Sequence, residues 1–355
     1  MMELRRGLRV GMRRLRHLAA AVAAVVGVVS CTTAPAPDAA TPGGYEFLPA
    51  DADMYFAFDG QVVRDVLSGE SPLSAGLEVL DLEAMGSAGG PSMPSSDDLD
   101  QLTDRLFRVY GAISSDSGRL FLAVEGDFPS SLLDFGLSTA QDFRRRTLFV
   151  DGVRGDYFYS EALAVELHLP SNGIVLASTG GIESLMAGAR RPRVPRPLAG
   201  LEEEFAALPV ALLINAPDDA DVVELLGLPV RLSIQDVFVG TEARGDADVM
   251  LSGRIRFADE QTAAAFSRVI RFALLAIFAD SDIPRAELMA GFSAESEGSV
   301  VTFSGLPIPW RFIEALAPEP GEGGGPNGQP DGESDGGPGD GAAQAGEERD
   351  DGGSE

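Results

Sequence analysis

One cysteine and two histidines, Cys31, His17 and His168, are all the thiol and imidazole chemistry that the 355 residues offer. With His17 near the start of the chain, a zinc site or a Ser-His-Asp relay further on would have to combine His168 with carboxylates or water. His168 falls in ALAVELHLP, where Leu163, Val165, Leu167 and Leu169 alternate with Ala164, Glu166 and His168. A period of two puts it on the polar side of a half-buried strand, as a surface histidine beside Glu166. No catalytic residue, cofactor site or metal site is assigned from these groups.

Carboxylates are more abundant. Asp51 with Asp53, Asp97 and Asp98 with Asp100, and Asp218 and Asp219 with Asp221 have spacings at which oxygen ligands take a hard cation. None belongs to a twelve-residue loop closed by glutamate, and each precedes an expected element, where aspartate caps helices and turns the chain. STGGIES, Ser178 to Ser184, follows a strand and opens a helix, the layout of a phosphate-cradling loop, but it has only two adjacent glycines and no lysine. It reads as a plain strand-to-helix turn. Arg154-Gly155-Asp156 is read as part of a hairpin turn in DGVRGD rather than as a receptor motif. Arg144, Arg145 and Arg146 offer positive charge for lipid head groups.

Cys31 has a more informative setting. Residues 1 to 16 carry Arg5, Arg6, Arg9, Arg13, Arg14 and Arg16 against a single acid, Glu3, and residues 18 to 29 are the apolar run LAAAVAAVVGVV. The run is too short to span a bilayer but has the length of a signal-peptide core. Val28-Val29-Ser30-Cys31 at its end resembles the lipobox of bacterial lipoproteins, with Val28 where leucine is commonest. The resemblance covers the leader alone. It implies removal of residues 1–30 and diacylglycerol on the Cys31 thiol. Each buried methylene contributes about 0.8 kcal/mol, so two or more acyl chains anchor stably. Residues 31–44, rich in Pro, Ala and Thr, then serve as a flexible tether. With its sole cysteine acylated, the mature chain forms no disulfide.

The formal charge is −28, from 27 basic and 55 acidic residues, and every basic residue is arginine. Such a chain repels nucleic-acid phosphates, so a nucleic-acid partner is excluded. From residue 317 the chain turns to glycine, proline and acid, which cannot bury enough apolar surface to offset ordering entropy; residues 317–355 read as a disordered acidic tail.

The elements that would position these groups lie between tether and tail. Strands are expected at Met54 to Phe58, Tyr110 to Ser114, Arg119 to Glu125, Thr147 to Phe158, Leu163 to Leu169 and Ile174 to Ala177. Helices are expected at Gln61 to Leu67, Asp97 to Phe107, Pro129 to Phe135 and Ile182 to Ala187, with Gly86 to Pro94 an excursion. RRPRVPRP, Arg190 to Pro197, has three prolines and reads as a linker, residues 190–204. A second series follows, with strands at Val210 to Ile214, Val230 to Gly240, Val249 to Phe257 and Ser299 to Phe303. Its helices are Ala220 to Leu226, Glu260 to Phe278 and Trp310 to Leu316.

MYFAFDGQVVRDVL and ALLINAPDDADVVELL share a strand, turn and short helix, and the order continues in parallel. The expected fold is α+β: two tandem ferredoxin-like units, residues 45–189 and 205–316, with mainly antiparallel sheets. The helix Glu260 to Phe278 carries an apolar stripe of Phe266, Ile270, Ala273 and Ile277, broadened by Phe272, Leu275 and Phe278, with Arg268 and Arg271 opposite. The stripe packs on a sheet or, in the sharper reading, takes acyl chains or a membrane. LPADADMYFAFD and GIVLASTGGIESLMAG look weakly like uncharacterised exported bacterial α+β proteins, a likeness that implies no activity. Together these readings imply a lipid-anchored protein of the cell envelope, exposed on a membrane face, binding lipid or an envelope protein without catalysis. The alternative is a carboxylate-based hydrolase or metal-dependent envelope enzyme.

Overall fold

MYFAFD alternates Tyr55 and Ala57 with Phe56 and Phe58, so both faces of this strand are apolar. A strand of that kind needs cover on both sides, which places it inside a sheet. The computed structural model describes residues 43–67, 105–215, 233–243, 248–277 and 289–309. Its strands are β1 (Met54–Asp59), β2 (Leu106–Ser114), β3 (Arg119–Gly126), β4 (Arg144–Val150), β5 (Val153–Ser160) and β6 (Val165–Ser171). They continue with β7 (Ile174–Ser178), β8 (Val210–Asn215), β9 (Ile234–Ala243), β10 (Asp248–Phe257), β11 (Ser293–Glu297) and β12 (Val300–Pro309). The helices are α1 (Gly60–Leu67), α2 (Ser130–Thr139), α3 (Ile182–Arg190), α4 (Glu202–Ala207) and α5 (Glu260–Ile277).

All twelve strands form one sheet in the order β11-β12-β10-β9-β8-β1-β2-β3-β7-β6-β5-β4, with antiparallel neighbours throughout. The architecture is α+β. Outward from the β1/β8 seam the two halves lay down their strands in the same sequence: β1, β2, β3, β7, β6 on one side and β8, β9, β10, β12, β11 on the other. The hairpin β4/β5 extends the first half. This order differs from the ferredoxin-like one, where the split βαβ unit keeps the first and second strands apart. Here β1 and β2 are direct neighbours, with Tyr55 opposite Ala112.

Cross-strand partners share a face, so the register assigns every side chain to one of two layers. Phe56, Leu212 and Val239 lie in one row, on the face covered by α2 over the first half and α5 over the second. Tyr55, Leu213 and Phe238 lie on the opposite face, under α3 and α4. Ile182, Leu185 and Met186 of α3 are each at most 1% exposed, and fully burying such a side chain stabilises by about 1.5–3 kcal/mol. Gly188 lets α3 approach the backbone of Phe47, where a Cβ would collide with the carbonyl.

Several expectations are corrected. The segment read as an Arg/Pro linker is packed structure: a 3-10 turn at Arg196–Leu198 leads into α4, and Leu198, Leu201 and Phe205 are buried against the sheet. Prolines at Pro195 and Pro197 suit that turn, because they leave no N–H unsatisfied at its start. Thr147 to Phe158 is two strands, divided at Asp151 and Gly152, whose φ of 51° and 76° make the left-handed pair of a tight hairpin. Leu106 and Phe107, placed at the end of a helix from Asp97, belong to β2. β11 was not anticipated. The leader, Cys31, the tether as far as residue 42, Gly86 to Pro94, residues 97–104, Ala220 to Leu226, Trp310 to Leu316 and the tail lie outside the described residues.

Candidate functional site

The turn before β1 is held by its own strand. Tyr55 donates its hydroxyl to the Pro49 carbonyl at 2.7 Å and accepts the Ala52 N–H at 3.2 Å, which fixes the Leu-Pro-Ala-Asp turn. Burial keeps the phenol from ionising, pushing it well above its ordinary range. Asp53 accepts the Ser115 N–H through Oδ2 and so caps the end of β2. The Asp97-Asp98-Asp100 and Asp218-Asp219-Asp221 groups lie outside the described residues. Among the described residues no three His, Cys, Asp or Glu side chains converge to hold a metal ion.

His168 and Glu166 are not on a solvent face. Both project toward α3, since Leu167 pairs with Phe158 and Ala177 on the other side. Glu166 Oε2 accepts the N–H of Ile182 at 2.9 Å, the first residue of α3. The carboxylate therefore occupies the anion-seeking helix N-terminus that STGGIES would otherwise turn toward a phosphate. Gly180 and Gly181, with φ of 143° and 93°, supply the left-handed backbone that this turn needs. The His168 Nδ1–H donates to the Asp156 carbonyl at 2.8 Å. Burial, opposed by that bond, holds the imidazole below its ordinary range, and nearby Arg190 adds to the depression. It is a neutral packing histidine.

Arg154-Gly155-Asp156 lies within β5, past the hairpin tip. Arg145 on β4 bridges Asp134 of α2 at 2.5 Å and stands 3.8 Å from Asp156, while the Arg146 guanidinium stacks 4.1 Å from the Tyr159 ring. Arg144 to Arg146 thus lie exposed at the start of strand β4.

Among the described residues two buried charges, Arg108 and Asp236, and the half-buried Glu125 escaped the sequence reading. Arg108, 8% exposed, donates to the carbonyls of Phe205 and Leu208 at the C-terminal end of α4 and lies 5.5 Å from the Tyr110 ring. Glu125 accepts the Gly44 N–H, and burial raises its pKa against the pull of that bond and of Arg108. Tyr45, Tyr110 and Phe205 pack ring on ring between them. This cluster fastens the entry of the chain and the connection to β8 onto one sheet face. On the second half of the same face, Asp236 meets Arg256 at 3.2 Å; burial raises the acid, and Arg256 and Arg254 oppose that. Alternation of β2, β3 and β9 hid these residues, because a charge on an apolar face reads as an exposed one until its partner is known.

On α5, Ala263, Phe266 and Ile270 are buried, but Phe272 is 72% and Val269 42% exposed. Phe272 thus leaves the stripe and stands outward with Arg268; Ala273 and Ile277 side chains and Phe278 lie outside the described residues. On α2, above the same sheet face, Phe135 is 68% exposed. Among the described residues no helix is long and apolar enough to cross a membrane.

No known family model matches the chain, and no curated protein matches it in sequence. Solved structures do. The protein TP0453 in crystal form III superposes with a TM-score of 0.50 at 16% identity, over 79% of this chain and 98% of that one. Crystal form I of TP0453 gives 0.50 at 16% identity, over 78% and 97%. At that identity the likeness is one of fold, and it extends over nearly the whole of TP0453.

Proposed function

We propose that this chain is a lipid-anchored protein of the cell envelope with a non-enzymatic binding or scaffolding role. The observation that carries it is the placement of the only cysteine, Cys31, at the border of an arginine-led apolar leader. In this reading residues 1–30 are removed, Cys31 carries lipid, residues 31–44 tether the folded body, and residues 317–355 solvate it. The two halves of the sheet are a tandem duplication of one α+β unit.

The folded part supports binding over catalysis. Arg108, Glu125, Glu166 and His168 each engage a backbone group of the fold itself. The α2/α5 layer, by contrast, turns Phe135, Val269 and Phe272 outward, the kind of apolar surface that meets lipid or an envelope protein. One observation favours carboxylate chemistry instead: Asp236 is 7% exposed and its Oδ1 has no hydrogen-bond partner. Its two arginine neighbours make it an internal ion pair rather than a base.

Capture from detergent-solubilised envelope, read by mass spectrometry for lipid and protein, tests the binding role. Phe135→Ser combined with Phe272→Ser is expected to remove what the native chain retains. Equal retention by the variant would contradict the assignment of this face.

A further inference from the structure

The sheet ends in two edges that differ in charge. Among the described residues β4 has a neighbour, β5, on one side only, and β11 has only β12. β4 reads RRRTLFV, with Arg144, Arg145, Arg146 and Thr147 exposed. β11 reads SAESE, with Ser293, Glu295, Ser296 and Glu297 exposed. Charges on an edge strand normally keep other strands away, and each edge here repels its own kind. A basic edge and an acidic edge on one molecule do not repel each other.

The register extends the complementarity from sign to position. Arg145 pairs with Phe158 on the α2 side, so Arg144 and Arg146 point to the opposite face. Ala294 pairs with Phe303 on the α5 side, so Glu295 and Glu297 also point to the opposite face. Since α2 and α5 cover one face, both charge pairs stand on the other. Strand direction agrees as well: twelve strands alternate in direction, so the two edges run opposite ways. A second copy placed with the same face up therefore brings its β11 antiparallel to β4, and the alternation continues across the junction.

We propose that copies of this chain associate edge to edge, β4 of one with β11 of the next. Arg144 then lies opposite Glu297, and Arg146 opposite Glu295. The two-fold pairings centred on the same residues, β4 with β4 about Arg145 or β11 with β11 about Ser296, bring Arg144 against Arg146 or Glu295 against Glu297, which like-charge repulsion disfavours. The contact is heterologous, so it leaves a free edge at each end and grows as an open row. This holds whether or not Cys31 is lipidated.

Cross-linking tests it on the full chain carrying Cys31→Ser, which removes the only native thiol. Arg145→Cys and Ser296→Cys are directly opposite in the proposed register. Two preparations with different tags, one carrying each substitution, are mixed and oxidised. A disulfide-linked pair bearing both tags is expected in the mixture, and none in either preparation alone. Adding Arg144→Glu and Arg146→Glu to the first preparation is expected to cut the yield about tenfold through two reversed cross-strand charges. Glu295→Arg and Glu297→Arg in the second preparation restore it. No mixed pair, a cross-link of equal yield in the Arg145→Cys preparation alone, or failure of the double reversal to restore the yield would each overturn the proposal.

Discussion

Replacing Arg108 by methionine tests whether a buried charge holds the β7-to-β8 connection in place. Methionine keeps most of the apolar stem, so the change removes the guanidinium while leaving little cavity. The carbonyls of Phe205 and Leu208 lose their donor, and Glu125 loses the cation that offsets its burial. A hydrogen bond to a charged donor is worth about 1.5–3 kcal/mol, and two at the lower end give a loss of about 3 kcal/mol. Urea unfolding followed by circular dichroism should show the midpoint falling with an unchanged slope, since the surface exposed on unfolding is the same. The loss is expected to be greater at neutral pH than near pH 4, where Glu125 is protonated, and Glu125→Gln in the same chain should recover part of it. A loss below about 1 kcal/mol would refute the account of Arg108 as the fastening of α4.

Three further outcomes follow from the same geometry. Glu125 has a raised pKa, so the folded state binds its proton more tightly than the unfolded chain, and stability falls as pH rises from the ordinary carboxylate range through the folded value. Glu125→Gln, which keeps an acceptor for the Gly44 N–H, is expected to be more stable than the native protein at pH 7 and equal to it near pH 4, as read by thermal unfolding. His168 has a lowered pKa, so its contribution is complete above about 6.5 and is lost as pH falls through the folded value; His168→Gln should flatten the stability profile in that window. Tyr55→Phe removes the clamp on Pro49 and Ala52 and is expected to cost about 1–2 kcal/mol in denaturant unfolding, with faster hydrogen exchange at the Ala52 amide.

The sequence disclosed those parts of the fold in which a side-chain period reports burial. β1, β3, β8 and α5 were legible because Phe56, Leu122, Leu212 and Phe266 recur at the spacing of a face that meets the core. β11 was not, since SAESE is exposed apart from the half-buried Ala294 and only its pairing with β12 makes it a strand. The packed connection at 196–207 was concealed by its prolines, which mark local backbone but say nothing of where Leu198 and Phe205 are buried. Alternation placed Glu166 and His168 correctly on the side away from Leu167, but that side is covered by α3, a helix whose position follows only from the assembled sheet. The same limit applies to Arg108 and Asp236, whose partners are far away along the chain or lie across a register that no local pattern fixes.

The central claim is attachment through Cys31, and the mass of the mature amino-terminal peptide tests it most directly. Protein purified from membranes should begin at Cys31 and carry the mass of a diacylglyceryl thioether, and Cys31→Ala should abolish that species and release the chain or leave it uncleaved. An unmodified Cys31, or a mature chain that begins elsewhere, would contradict the account.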